Sequence, residues 1–176
     1  MQRRTVISQM VAAALVPALV PFPLRAVRAQ SPLSAPQGGL RASHERWREI
    51  LPADRYRVLF EEATEPPRSN PLDKEYGDGT YVCAACYQPL FDSKDKFDSG
   101  TGWPSFTRPL EGAMNTKRDF RLIWPRTEYH CSRCGGHQGH VFDDGPPPTG
   151  QRWCNNGLAL EFVPRGEDLP ALRDPG

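Results

Sequence analysis

Apolar positions recur at helical spacing only where the polar body of the chain begins. Ser43 can cap a short helix running through Leu51, with Trp47 and Ile50 or Leu51 on one face. Pro52 suits the first position of a second short helix, along which Tyr56, Leu59 and Phe60 repeat at the same spacing. After Thr64-Glu65-Pro66-Pro67 the period shortens. Short β-type runs follow at Thr80–Cys83, Pro89–Phe91, Phe120–Trp124, Glu128–Cys131, His140–Phe142 and Leu158–Val163, with Gly, Asp and Pro clusters between them. The pattern predicts one mainly β, mainly antiparallel domain over residues 43–165 with helices at its N-terminal edge. The polar stretch 166–176 reads as a flexible tail.

The first 29 residues have a different character and predict a removable signal peptide. Arg3 and Arg4 precede an almost wholly apolar run from Val11 to Phe22, and Val27-Arg28-Ala29 offers small residues where a signal peptidase cuts. Pro17 and Pro21 interrupt that run, which is too short to span a bilayer. A hydrophobic tail on a cytosolic protein is the bland alternative. The paired arginines favour the twin-arginine route, although Thr5-Val6-Ile7 fits its usual context loosely and the general secretory route stays open. Either route leads to an exported, periplasmic protein with no membrane insertion once the signal is gone. Residues 30–42, rich in Ser, Pro, Gln and Gly, are a linker.

Export changes the charge that matters. The 176-residue chain carries 22 basic and 21 acidic residues. Arg3, Arg4, Arg25 and Arg28 leave with the signal, so 18 basic residues face 21 acidic ones, a net charge of −3. A slightly acidic surface argues against nucleic acid as a partner. With 15 Gly and 19 Pro, the chain also favours turns over long helices.

Five cysteines carry the chemistry, and four of them pair off by spacing. Cys83-Ala-Ala-Cys86 and Cys131-Ser-Arg-Cys134 are two knuckles that together supply a tetrahedral thiolate shell for one structural Zn²⁺. Two disulfides, suited to an oxidising compartment, or a redox-active CxxC are the alternatives. Folding before export would load the metal ahead of any oxidant. Cys154, in Arg152-Trp153-Cys154-Asn155-Asn156-Gly157, is left over, and an odd cysteine in a secreted chain is a reactive thiol or an intermolecular link.

A reactive thiol needs cations, histidines or amide donors near it. Arg152 lies two positions away, Asn156 follows, and His137 and His140 straddle Gly139 directly after the second knuckle. Taken alone, a His-x-x-His pair is more often incidental than catalytic. Trp103, in Ser99-Gly100-Thr101-Gly102-Trp103-Pro104, reads either as a core indole at a tight turn or as an aromatic wall for a small apolar group such as a methyl.

The segments KFDSGTGWPSF, CSRCGGHQGHVFDDGPPPTG and RWCNNGLALEFVP, with TEPP and GTYVCAAC, resemble the signature segments of B-type methionine sulfoxide reductases over residues 43–165. The resemblance implies two antiparallel sheets with short helices and a structural zinc site, a β-tent-like fold. It implies thiol-dependent reduction of methionine (R)-S-oxide, mainly in proteins, with Cys154 attacking the sulfoxide sulfur and becoming a sulfenic acid. His140, His137 and Asn156 would bind and protonate the oxygen, Arg152 would favour the thiolate, and Trp103 would pack on the S-methyl. Cys83, Cys86, Cys131 and Cys134 match the zinc ligands. Many members of that family carry a second, resolving cysteine just before the Gly-Trp-Pro, where this chain has Thr101. A monomer relying on an external reductant, a thioredoxin-like protein or a small thiol, is therefore expected. The rival readings are a zinc-ribbon binding module, a CxxC disulfide isomerase, and a cysteine hydrolase using Cys154 and His140.

Overall fold

The computed structural model describes residues 44–120 and 125–176. The expected signal peptide and linker therefore lie outside the described residues. Helix α1 spans His44–Ile50 and α2 spans Ala53–Glu61. Trp47 is the buried residue of α1, and its ring stacks on Phe60 of α2 at 5.6 Å. Leu51 faces inward, whereas Ile50 is 43% exposed. Pro52 caps α2 rather than starting it, and Glu62 in the left-handed region closes it. Among the described residues no helix is long and apolar enough to cross a membrane.

Two antiparallel sheets make up the rest. The smaller has the order β2-β1-β9, from Pro89–Asp92, Gly79–Cys83 and Leu160–Pro164. Every residue of β1 is buried, as suits a strand between two partners. The larger sheet has the order β3-β4-β8-β7-β6-β5. Its strands are Lys96–Phe97 (β3), Ser105–Phe106 (β4), Arg152–Asn155 (β8), His137–Phe142 (β7), Arg126–Cys131 (β6) and Met114–Asp119 (β5). Aromatic rings fill the core: Phe91 stacks on Phe106 at 4.0 Å, and Tyr129 meets Trp153 edge-on at 4.9 Å. The mainly β fold with short N-terminal helices is as the sequence predicts.

Individual elements shift. β5 ends at Asp119 and Phe120 is 71% exposed, while residues 121–124, the rest of the strand expected at Phe120–Trp124, lie outside the described residues. An edge strand with polar side chains on both faces carries no hydrophobic alternation to read. The strand expected from Leu158 starts at Leu160, because Gly157–Ala159 forms a 3-10 turn. Segment 166–176 lies against the first knuckle, where the Arg173 N–H donates to the Cys86 carbonyl at 3.0 Å. Arg133 donates to the Arg173 carbonyl at 2.7 Å.

Candidate active site

Pairing register, more than sequence proximity, gathers the site. Ser105 pairs with Cys154, Cys154 with His140, His140 with Glu128, and Glu128 with Lys117. Directly opposed residues share a face, and so do residues two apart on one strand. That places Arg152, Phe142, Arg126 and Asp119 beside the first row, while Phe106, Tyr129 and Asn155 turn to the other side. β7 and β8 approach so closely that a Cβ on Gly139 would lie 1.9 Å from the Cys154 carbonyl oxygen. Only glycine fits at position 139, one residue before His140.

A cavity of about 130 Å³ opens on this face, lined among others by Trp103, His140, Phe142, Cys154, Asn156 and Thr64. Burial pushes the Cys154 thiol up, and the Arg152 guanidinium and Thr101 hydroxyl pull it back. Arg152 is itself fixed by a two-pronged bond to Asp144, at 2.8 and 2.9 Å, and lies 4.2 Å over the Phe142 ring. Thr101 and Ser105 are joined through the Ser99 hydroxyl, each at 2.8 Å. A cation and a chain of hydroxyls therefore border the sulfur.

His140 Nε2 lies 2.9 Å from Asp119, whose same carboxylate oxygen accepts from Arg126 at 2.7 Å. His137 sits one layer back. It is 3% exposed, its Nδ1 is 2.8 Å from Glu128, and its ring centroid is 5.5 Å from that of His140. Burial lowers both imidazoles, and Asp119 and Glu128 oppose it. Asn156 lines the cavity, but its Oδ1 accepts from the Glu65 N–H at 3.1 Å and its Nδ2 donates to the Gln138 carbonyl at 3.0 Å. The Trp103 indole N–H donates to the Glu65 carbonyl at 3.1 Å. Gly102 takes a left-handed φ of 89° to make the turn that presents this ring.

The structure thus brings Cys154, His140, Trp103 and Asn156 to one cavity, with Arg152 beside the sulfur and His137 behind. Sequence reading missed Asp119, Asp144 and Glu128, the carboxylates that fix these residues, and the cavity residues Phe142 and Thr64. The carboxylates carry no motif of their own. Strand alternation outward from Cys154 and His140 was the one signal that could have found Phe142.

The four remaining cysteines form a separate group. Their sulfurs all lie within 4.8 Å of one another, with Cys83–Cys134 and Cys86–Cys131 each at 3.6 Å. Thiolates bound tetrahedrally at the usual zinc–sulfur length sit roughly 3.8 Å apart, so this cluster fits one Zn²⁺. The Gln138 amide lies 3.6 Å from Cys83 Sγ as a further donor. Three of the four cysteines are buried, which suits a closed structural site.

The SelR domain model matches residues 51–164 of the chain. "Peptide methionine sulfoxide reductase MsrB" of Pseudomonas syringae pv. syringae (strain B728a) is 49% identical over 127 residues, 72% of this chain and 97% of that protein. The protein of the same name from Bradyrhizobium diazoefficiens is 50% identical over 124 residues, 70% of this chain and 89% of its own. That from Agrobacterium fabrum (strain C58 / ATCC 33970) is 50% identical over 119 residues, 67% and 88% of the two chains.

Proposed function

This chain belongs to the SelR domain family, with the B-type methionine sulfoxide reductases, and on that premise we propose that it reduces methionine (R)-S-oxide, mainly in proteins, through Cys154. The observation that carries the reading is the single thiol set apart from the four-sulfur cluster and paired in register with His140. Trp103 and Phe142 offer apolar walls for the S-methyl group. The Cys154 thiolate attacks the sulfoxide sulfur and forms a sulfur–sulfur bond. The oxygen, protonated as it goes, passes from that sulfur to Cys154 Sγ, and the sulfur–sulfur bond breaks with its electron pair returning to the methionine sulfur. The products are methionine and a Cys154 sulfenic acid.

Sulfoxide oxygen leaves poorly until protonated, and His140, steadied by Asp119, delivers that proton. Asn156 holds the cavity floor to which the oxygen binds, and His137 acts through His140 from behind. Arg152 favours the thiolate against the cost of burial. Bound by Cys83, Cys86, Cys131 and Cys134, zinc would cross-link the two knuckles and take no part in the redox step.

Thr101 borders Cys154 where a resolving thiol would otherwise stand, and the other four cysteines are gathered at the metal cluster. An external thiol therefore attacks the sulfenic acid, releasing water and forming a mixed disulfide. A second thiol then frees Cys154 and leaves as the oxidised reductant. A thioredoxin-like protein or a small thiol fits this role. Export through the leader at 1–29, a periplasmic site of action and a monomeric state complete the proposal.

Separated epimers test the reading. Turnover of the R sulfoxide in a peptide, with the S epimer slower by about 10³-fold, is the expected outcome of a cavity built around one S-methyl position. Equal use of both epimers overturns it.

A further inference from the structure

Glu65, in the Thr64-Glu65-Pro66-Pro67 segment, has no part in the chemistry above, yet it is 4% exposed and uses every polar group it has. Its carboxylate accepts from the Gly157 N–H at 2.6 Å and from the Leu158 N–H at 2.9 Å. Its own N–H donates to Asn156 Oδ1 at 3.1 Å, and its carbonyl accepts from the Trp103 indole N–H at 3.1 Å. The same segment is tied again to the Trp103 turn, where the Arg68 N–H donates to the Gly102 carbonyl at 2.7 Å. One residue therefore joins the turn that follows β8, the cavity's amide and the cavity's aromatic wall.

We propose that Glu65 is a positioning residue that sets the distance between Trp103 and Cys154, and so the fit of the S-methyl group. The proposal rests on the reductase reading. The two amides at 157 and 158 lie just past the Cys154 strand and anchor the carboxylate. That anchor fixes the Glu65 backbone, and the backbone in turn holds the indole and Asn156. Burial disfavours the charge on Glu65, and the two amide donors oppose that cost. A buried carboxylate kept for two backbone donors is an expensive device, which a surface loop would not need.

Glu65→Gln is the test. The glutamine oxygen can accept one amide, but its NH₂ meets the other amide donor to donor. The expected result is a KM for the R sulfoxide raised by roughly tenfold with kcat within about twofold, because the wall moves while the thiol's own partners stay. Two readouts need no sulfoxide. The Trp103 indole N–H resonance should shift upfield and exchange faster as its bond to the Glu65 carbonyl lengthens. Alkylation of Cys154 by iodoacetamide should keep its wild-type rate, since Arg152 and Thr101 are untouched. Glu65→Asp keeps the charge with a shorter reach, should give an intermediate KM, and serves if the amide variant does not fold. An unchanged KM and indole resonance in a folded variant overturns the proposal, as does a loss carried by kcat together with slower alkylation. If the reductase reading itself fails, the wild type shows no turnover, while the two sulfoxide-free readouts still judge Glu65.

Discussion

Cys154→Ser is expected to lower kcat/KM for the R sulfoxide by roughly 10⁴-fold or more, while the zinc content and the thermal midpoint stay near wild type. Serine preserves the size and the β8 register but supplies a hydroxyl that neither ionises near neutral pH nor takes up oxygen. Nothing else in the cavity substitutes. Thr101 and Ser105 are hydroxyls too, and the other four cysteines lie within 4.8 Å of one another in their own cluster. Initial rates with a peptide sulfoxide, beside metal analysis and a melting curve, check this. Residual activity within tenfold of wild type would remove Cys154 from the mechanism.

Removing the metal is expected to have the larger structural effect. A structural zinc contributes about 10–16 kcal/mol of apparent binding free energy, comparable to the whole stability of a small domain, about 5–15 kcal/mol. Here the two knuckles join different parts of the fold. Cys83 ends the central strand of the smaller sheet, and Cys131 ends β6 of the larger one. Without the metal, four buried or half-buried thiolates would have to be protonated or separated. Cys131→Ser, or prolonged chelation, should therefore abolish the cooperative thermal transition and the dispersed amide spectrum, with activity lost as a consequence. A metal-free protein that melts within a few degrees of the wild type would show that the cluster is not the staple claimed.

The four-cysteine cluster was legible because its chemistry is written in residue type and spacing. That Cys154 stands apart from the other cysteines was legible by elimination, since four sulfurs had a mutual use and the fifth had none. The two helices were legible because Trp47, Tyr56 and Leu59 bury one face at helical period. What stayed hidden depends on contacts between distant residues. β8 is only Arg-Trp-Cys-Asn, four residues without alternation, and it becomes a strand because β4 and β7 flank it. After Met114 β5 is polar to its end, so Asp119 could not be matched to His140. Glu65 meets Asn156, Gly157 and Leu158 across more than 90 residues of chain and Trp103 across 38. Its motif was visible, but its purpose was not.

The account stands most directly on where one oxygen atom goes. Fully reduced protein, mixed without any reductant with one equivalent of an ¹⁸O-labelled R sulfoxide and trapped with a sulfenic-acid reagent, is digested and read by mass spectrometry. The account predicts one labelled oxygen on the Cys154 peptide, one methionine formed per chain, and the four knuckle cysteines unchanged. An unlabelled Cys154 beside formed methionine, or a disulfide joining it to Cys83, Cys86, Cys131 or Cys134, would contradict it.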